Sequence, residues 1–445
     1  MALPRWVFMG LGLLLLLLNI VPERAYGSSR GAVSAVQIPP VGLCASSVIV
    51  HGYKCQEFEV KTEDGYVLSM QRIPEGRVGG IGGRTRSQFC CNMACLCVKE
   101  FSFYLKQLQP TGPTPMGIKK QNLKFPIVKL DLYYDGMTWL LNSPEQSLAF
   151  ILADNGFDVW IANGRGTRYS LGHATLQSTD AKYWNWSWDE LALYDLPATI
   201  DFVYGQTGQK VDYVGHSMGT LVALASFSQG NMVNKLRSAA LLSPVAYLSH
   251  MTTVIGVLAA QAFVGEITTL IGVAEFNPHG PLVANFLKTL CLAPGVDCYN
   301  LLTALTGRNC CLNESIVETL LKNEPQSTAT KNMVHLAQTV RDGILSKFDY
   351  ANPNINLEHY GQEKPPVYNL SNIPNNLPLF VSYGGQDSLA DVRDVETLLD
   401  SLKFHDGDKL QVQFVKDYAH ADFIMGVTAK DIVYNTMLAF FKRQL

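Results

Sequence analysis

The sequence has little charge and none of the features that bind nucleic acid. Only 16% of its 445 residues are charged, its formal net charge at pH 7 is -3, and it contains no long run of Lys or Arg. A nucleic-acid partner needs a concentrated positive surface, so we exclude that class of partner. Internal repeats and low-complexity tracts are also lacking, whereas 47% of the residues are hydrophobic. This composition predicts one large domain with an insertion, or two domains.

The N-terminus lacks an apolar run long enough for a typical membrane span and resembles a secretory signal instead. A basic start precedes an apolar run over residues 6–20, and small residues favour cleavage after Gly27. A bilayer span needs about 20 apolar residues, although retention of residues 1–27 as an anchor remains an alternative. Ten cysteines and three glycosylation sequons fit the same oxidising route. The sequons are at Asn185, Asn313 and Asn369. We expect a protein of the secretory pathway, either extracellular or in a lysosomal or vacuolar lumen.

Four clustered cysteines lie in a stretch, residues 79–124, that has neither helical nor strand periodicity. They are Cys90, Cys91, Cys95 and Cys97. Zinc sites use paired Cys-x-x-Cys arms or histidines, and this stretch contains neither. We interpret it as an inserted loop with local disulfides. For the chain as a whole we expect no metal and no organic cofactor.

The most informative stretch reads GHSMGT and places Ser217 between Gly215 and Gly219. A strand-like run, KVDYV, precedes it, and a compact apolar helix candidate, LVALASF, follows. In a nucleophile elbow a strained turn between strand and helix exposes the serine hydroxyl, and glycines let the two backbones approach. The pattern predicts acyl transfer by Ser217, with the backbone N–H of Met218 as an oxyanion donor. An esterase, a peptidase and a thioesterase could all use such an elbow.

Two later strand-like runs end in residues that complete a catalytic triad. The run PLFVSY leads to Asp387, and the run LQVQFV leads to His420. The α/β-hydrolases present nucleophile, acid and histidine in this chain order, each at the carboxyl end of a strand. We expect His420 to accept the serine proton and Asp387 to orient the imidazole. Asp391 and Asp394 are rival acids but fall in the following helix, and Asp422 is too near His420 in sequence.

Alternation of apolar and polar residues on both sides of Glu63-Asp64-Gly65 predicts a β-hairpin with a tight turn. This hairpin lies in the first of four segments that carry a family resemblance: HGYKCQEFEVKTEDGYVLSMQRIP, GFDVWIANGRGTRYSLGH, YGGQDSLADVRDV and YAHADFIMG. They resemble the acid lipase family, which includes gastric and lysosomal acid lipases, and within it the plant triacylglycerol lipases. The resemblance covers most of residues 44–445, except residues 79–132. It implies an α/β-hydrolase fold with a mostly parallel sheet, flanking helices and an inserted helical cap or lid. It also implies a neutral lipid ester as substrate, either a triacylglycerol or a steryl ester.

One strand departs from the family pattern. In the family this strand ends in His-Gly and an apolar residue whose N–H forms part of the oxyanion hole, whereas this chain has Leu130, Asp131 and Leu132. We expect Leu132 to supply the second donor. Loss of one such donor costs about 100- to 1,000-fold in rate, so a catalytically impaired, lipid-binding homologue is the alternative. Because family members pass directly from hairpin to strand, residues 79–124 are either a true insertion or the product of an alternative or erroneous transcript.

The expected domain organisation is a hydrolase core in two parts, residues 44–244 and 374–445, separated by a helical cap over residues 245–373. The mostly apolar stretch 252–273 is either a lid helix that meets a lipid–water interface or an ordinary buried helix. Four cysteines are expected to tie the cap together, in any of three pairings. They are Cys291, Cys298, Cys310 and Cys311.

Overall fold

The computed structural model describes residues 42–77, 126–130, 135–230, 232–261, 265–266, 269, 272–278 and 301–445. Several predictions lie outside these residues: the signal segment 1–27, the stretch 79–124 and the oxyanion donor Leu132. Cys291 and Cys298 lie outside them as well.

The strands form one large sheet and one small pair. They are β1 Gln56–Lys61, β2 Tyr66–Ile73, β3 Pro126–Leu130, β4 Asp158–Ala162, β5 Gly172–His173, β6 Val211–His216, β7 Leu236–Leu242, β8 Glu275–Phe276, β9 Thr328–Ala329, β10 Leu379–Gly384 and β11 Leu410–Val415. The large sheet has the order β1-β2-β4-β3-β6-β7-β10-β11, with β5 paired to β2. From β4 to β11 the neighbours are parallel. The predicted hairpin is confirmed, because β1 and β2 pair antiparallel from Lys61–Val67 outwards.

The helices alternate with the parallel strands and also fill the middle of the chain. They are α1 Leu148–Asp154, α2 Trp188–Glu190, α3 Leu196–Thr207, α4 Met218–Gln229, α5 Val254–Gln261, α6 Leu301–Thr306, α7 Glu314–Asn323, α8 Thr330–Asp342, α9 Pro353–Tyr360, α10 Val392–Ser401, α11 Asp422–Met425 and α12 Asn435–Arg443. A parallel sheet needs such crossover helices between its strands. The predicted α/β class is confirmed.

Both faces of the sheet are buried. In β6, Tyr213 enters one hydrophobic core and Val214 the other, and Ala239 and Ala240 of β7 divide in the same way. Successive side chains of a strand point to opposite faces, so each central strand contributes to both cores. Helix α4 covers the first face, while α1 and α12 cover the second. The carboxyl ends of the central strands therefore lie at one edge of a sheet that is packed on both faces.

The segment between β7 and β10 differs from the rest of the fold. Its described elements are the helices α5 to α9, a short 3-10 turn at Leu370–Asn372 and the β8–β9 pair, which is separate from the large sheet. The apolar stretch 252–273 begins as helix α5, and only part of this stretch is described. Among the described residues, no helix has both the length and the apolar character that crossing a bilayer requires.

Candidate active site

Ser217 occupies a strained turn between β6 and α4. Its backbone angles are φ 53° and ψ -125°, a positive φ that non-glycine residues rarely adopt. Helix α4 begins at the next residue, Met218, whose backbone N–H belongs to the first turn and therefore has no acceptor within the helix. The structure thus has the backbone geometry of the predicted nucleophile elbow.

Gly215 is required by the close approach of strand and helix. A Cβ at this position would lie 2.8 Å from the Tyr213 ring and 3.0 Å from the carbonyl carbon of Gly219. The Tyr213 hydroxyl also donates a 2.8 Å hydrogen bond to the Gly219 carbonyl, which fixes the ring in that place. The first turn of α4 is held further by Thr220, whose hydroxyl donates to the Ser217 carbonyl at 2.5 Å. The elbow is therefore stabilised both by close neighbours of Ser217 and by the end of β7, where the Leu242 carbonyl accepts the Ser217 N–H at 3.3 Å.

Asp387 and His420 form a buried hydrogen-bonded pair. The two carboxylate oxygens of Asp387 lie 2.9 and 3.1 Å from Nδ1 of His420. One oxygen also accepts the backbone N–H groups of Leu389 and Ala390 at 2.9 and 2.8 Å. Burial alone would raise the pKa of the Asp387 carboxyl, but the charge and hydrogen bond of His420 and the two N–H donors bring that pKa below its ordinary value. The ionised carboxylate only accepts hydrogen bonds, so Nδ1 carries the proton.

This tautomer leaves Nε2 of His420 as a lone-pair nitrogen. The atom is buried and has no hydrogen-bond partner among the described residues. His216, the residue before the serine, donates from Nε2 to the His420 carbonyl at 2.9 Å. The centroids of the two imidazole rings are 4.7 Å apart. The serine turn and the histidine loop therefore touch directly.

The three rival acids are engaged elsewhere. Asp391 caps helix α10 through the N–H of Arg393, and Asp394 accepts from the ring and backbone of His250. Asp422 accepts the backbone N–H groups of Ala419, Cys310 and Cys311. Their bonds therefore serve local structure rather than the His420 ring.

A potential metal-binding group does not fit a metal. The sulfurs of Cys310 and Cys311 and an Asp422 oxygen lie within 4.8 Å of one another. However, the two cysteines are joined in a disulfide, and the Asp422 oxygens accept three backbone donors. A metal requires deprotonated, available ligands, which this group does not supply.

All three sequon asparagines are exposed. Asn313 caps α7 and accepts both the N–H and the hydroxyl of Ser315, at 3.0 and 2.8 Å. Asn369 similarly accepts the N–H of Ser371 at 3.1 Å. These surface positions are compatible with glycosylation, which remains a prediction for Asn185, Asn313 and Asn369.

Sequence reasoning missed two buried carboxylates that join the middle segment to the core. Glu324 accepts the backbone N–H of Asp135 at 3.0 Å, and burial, followed by the Asp135 charge, raises the pKa of Glu324 well above its ordinary value. Asp189 accepts the N–H of Phe348 and the hydroxyl of Tyr368, at 2.8 and 2.7 Å, and burial raises its pKa to about 7. These partners are far apart in sequence and follow no motif, so no local signal could have identified them.

Comparisons with family models and with related proteins indicate the same family. A family model described as a partial alpha/beta-hydrolase lipase region matches residues 44–93, and one described as the alpha/beta hydrolase fold matches residues 141–427. Triacylglycerol lipase 2 of Arabidopsis thaliana is 55% identical, covering 91% of this chain and 88% of that protein. Triacylglycerol lipase 1 of the same plant is 36% identical over 92% of each chain. Human lysosomal acid lipase/cholesteryl ester hydrolase is 33% identical over 97% of each.

Among solved structures, a soluble variant of monoglyceride lipase from Saccharomyces cerevisiae, in complex with a substrate analogue, aligns with a TM-score of 0.51. The match covers 87% of this chain and 96% of that chain at 12% identity. At this identity the likeness concerns the fold alone.

Proposed function

The chain belongs to the acid lipase family of α/β hydrolases, and we propose that it hydrolyses neutral lipid esters, triacylglycerols in particular, through an acyl-enzyme on Ser217. The observation that carries this proposal is the buried Asp387–His420 pair, whose loop contacts the residue before the strained serine. The names of the Arabidopsis relatives support ester hydrolysis and a triacylglycerol substrate. The name of the human relative supports a cholesteryl ester as a second substrate class.

In the proposed reaction, Ser217 Oγ attacks the ester carbonyl while Nε2 of His420 takes the hydroxyl proton. Asp387 holds the imidazole in its tautomer and stabilises the imidazolium. The N–H of Met218 and that of Leu132 donate to the oxyanion. His420 then gives its proton to the leaving alcohol, and a water molecule releases the fatty acid by the same steps in reverse. None of these steps uses a metal or an organic cofactor.

The setting of the reaction belongs to the same proposal. Residues 245–373 act as a cap that contacts a lipid–water interface while the substrate enters, and residues 44–244 and 374–445 form the hydrolase core. Removal of residues 1–27 delivers the protein to the secretory pathway, with an extracellular, lysosomal or vacuolar destination. The relatives' names and the exposed sequon asparagines support this setting.

The test is hydrolysis of p-nitrophenyl butyrate and p-nitrophenyl palmitate by the purified glycoprotein, beside Ser217→Ala. We expect turnover of both esters by the wild type, and a loss of at least about 1,000-fold in Ser217→Ala. Turnover that survives Ser217→Ala would contradict the proposal.

A second variant, Leu130→His with Asp131→Gly, restores the family's residues at the end of β3. If the wild type is inert and this variant is active, the chain is a lipid-binding homologue with an impaired oxyanion strand. If both turn over, the altered strand still supports catalysis. The register Leu130–Gly215 sets the end of β3 beside the elbow, so the variant addresses the correct position.

A further inference from the structure

One segment of the middle region crosses both loops that carry the acid and the histidine. We call residues 306–311 the strap; it begins at the last residue of helix α6. On the acid side, Gly307 forms an antiparallel bridge with Asp387, and the Thr306 carbonyl accepts the N–H of Ser388 at 3.4 Å. Gly307 has φ +97°, and a Cβ there would overlap the Gln386 carbonyl oxygen. The strap backbone therefore packs directly against the residues on both sides of the acid.

The strap also forms hydrogen bonds with the loop that carries His420. The Thr306 carbonyl that faces Ser388 also accepts the N–H of His420, at 3.1 Å. The side-chain oxygen of Asn309 accepts the N–H of Ala421 at 3.1 Å. The Cys311 carbonyl accepts the N–H of Val427 at 2.8 Å. The Thr306 carbonyl thus bonds to both the acid loop and the histidine loop, and Asn309 and Cys311 add two hydrogen bonds to the histidine loop.

The Asp422 carboxylate connects the strap to the histidine loop by hydrogen bonds. It is fully buried, and its carboxylate accepts the N–H groups of Cys310 and Cys311, each at 3.1 Å. The same carboxylate accepts the N–H of Ala419 at 2.8 Å, in the turn before His420. Bonds from backbone N–H groups to a buried carboxylate are among the stronger hydrogen bonds in proteins. A single side chain therefore fastens the strap to the histidine loop.

We propose that the strap positions the catalytic acid and histidine relative to each other, and that Asp422 and Asn309 are its positioning residues. This inference rests on the proposed function, since it assigns a role to residues around the same pair. Both side chains accept backbone N–H groups of the strap or the histidine loop. They act through these two segments, so their loss lowers the rate of the chemical step and leaves ester binding unchanged.

The test compares Asp422→Asn with Asp391→Asn in the full-length protein. Both change a carboxylate that accepts a backbone N–H, but Asp391 caps helix α10 and makes no bond to the strap. The amide cannot accept all three donors that the carboxylate accepts, because its nitrogen is only a donor. Active sites are counted by labelling with a fluorophosphonate, and kcat per labelled site and KM are measured with p-nitrophenyl butyrate.

For Asp422→Asn we expect kcat per labelled site to fall about 10- to 100-fold, with KM changed by less than about 2-fold, because small displacements of a catalytic pair have effects of that size. For Asp391→Asn we expect both constants to match the wild type. A merely structural role for Asp422 would reduce the number of labelled sites and leave kcat per site unchanged. That result would overturn the proposal.

Asn309→Ala decides the question if Asp422→Asn does not fold. It removes the bond to the Ala421 N–H, together with the bonds that the same amide donates within the strap to the Thr306 hydroxyl and the Gly307 carbonyl. We expect kcat per labelled site to fall about 3- to 10-fold or more at constant KM, because one ordinary hydrogen bond has an effect of that size. An unchanged kcat per site would count against the strap. Failure of the proposed function itself looks different, because the wild type would then neither hydrolyse the ester nor be labelled at Ser217.

Discussion

The serine turn and the acid–histidine pair face the same site, but the fold stabilises them by different means. The glycines and side-chain bonds that shape the turn at Ser217 come mainly from Tyr213 to Thr220, and the neighbouring strand β7 adds the Leu242 carbonyl, which accepts the Ser217 N–H. Asp387 and His420 are 33 residues apart, and Cys310 of the strap lies 112 residues before its anchor Asp422. The proposed nucleophile is therefore shaped largely by its own segment and the adjacent strand, whereas the proposed acid and base depend on contacts between more distant segments.

This difference predicts where substitutions act. Changes near Ser217 alter a local turn whose strain is imposed by the strand and helix on either side. Changes in the strap leave Ser217, Asp387 and His420 in place in the sequence, but we expect them to displace the last two.

The largest effect is expected for Asp387→Asn. The amide still fits the space but favours the wrong imidazole tautomer, so kcat should fall about 10,000-fold. Asp394→Asn is the matched control, because Asp394 is also buried but bonds to His250. Stopped-assay rates on p-nitrophenyl butyrate measure both. Equal rates for the wild type and Asp387→Asn would show that Asp387 is not the acid that orients the His420 ring.

Asp189→Asn should change stability rather than catalysis. Burial raises the pKa of Asp189 to about 7, so the folded chain keeps a proton that the unfolded chain gives up near pH 4. The resulting stabilisation is complete below pH 4 and is lost as pH rises to about 7, an effect on the order of 4 kcal/mol. Urea unfolding at pH 4 and pH 8 should show a smaller pH dependence in Asp189→Asn than in the wild type.

Asp400→Asn is the control for that experiment, since Asp400 is exposed and pairs with Lys403 on the surface. Its pH dependence should equal that of the wild type. If Asp189→Asn also keeps the wild-type pH dependence, Asp189 is not protonated in the folded chain near neutral pH.

Gly215→Ala tests how local the serine turn is. The new methyl group would crowd the Tyr213 ring and the Gly219 backbone, and overpacking of this kind costs about 1 to 3 kcal/mol of unfolding free energy. Gly205→Ala is the control, because no atom lies within 4 Å of a Cβ there and the site is in helix α3. That change should be neutral or stabilising by up to about 1 kcal/mol. Thermal unfolding distinguishes the two variants, and similar midpoints would argue against a crowded turn.

The smallest effect is expected when Cys310 and Cys311 are both changed to Ser. Their disulfide closes a very short loop, so its removal should cost about 1 kcal/mol or less. Their backbone N–H groups still reach Asp422, so kcat should stay within about 3-fold of the wild-type value. A large loss of kcat would mean that the disulfide, rather than the hydrogen bonds, holds the strap.

The sequence predicted those parts of the molecule that have a local signature. Alternation around Glu63-Asp64-Gly65 identified the β1–β2 hairpin, and the glycine spacing around Ser217 identified the turn before α4. The apolar runs before Asp387 and His420 identified β10 and β11 within about one residue. Chain order along a parallel sheet then indicated that their carboxyl ends share one edge.

The contacts between the middle segment and the core had no such signature. Glu324 reaches Asp135 across 189 residues, and Tyr368 reaches Asp189 across 179. Asp422 could be considered only as a rival acid, because its actual partners are backbone groups far away in the chain. Periodicity and motifs depend on residues that are close together in the sequence. Hydrogen bonds between residues this far apart in the sequence can be identified only from the folded structure.

Mass spectrometry of the wild-type protein, after inactivation by a long-chain p-nitrophenyl phosphonate, tests directly whether Ser217 is the nucleophile. We expect one adduct per chain, on the peptide that contains Ser217, with hydrolysis lost in proportion to labelling. We also expect His420→Gln to slow adduct formation at least about 1,000-fold, because the serine then lacks its base. An adduct on another residue, or full hydrolysis by chains labelled at Ser217, would show that Ser217 is not the nucleophile.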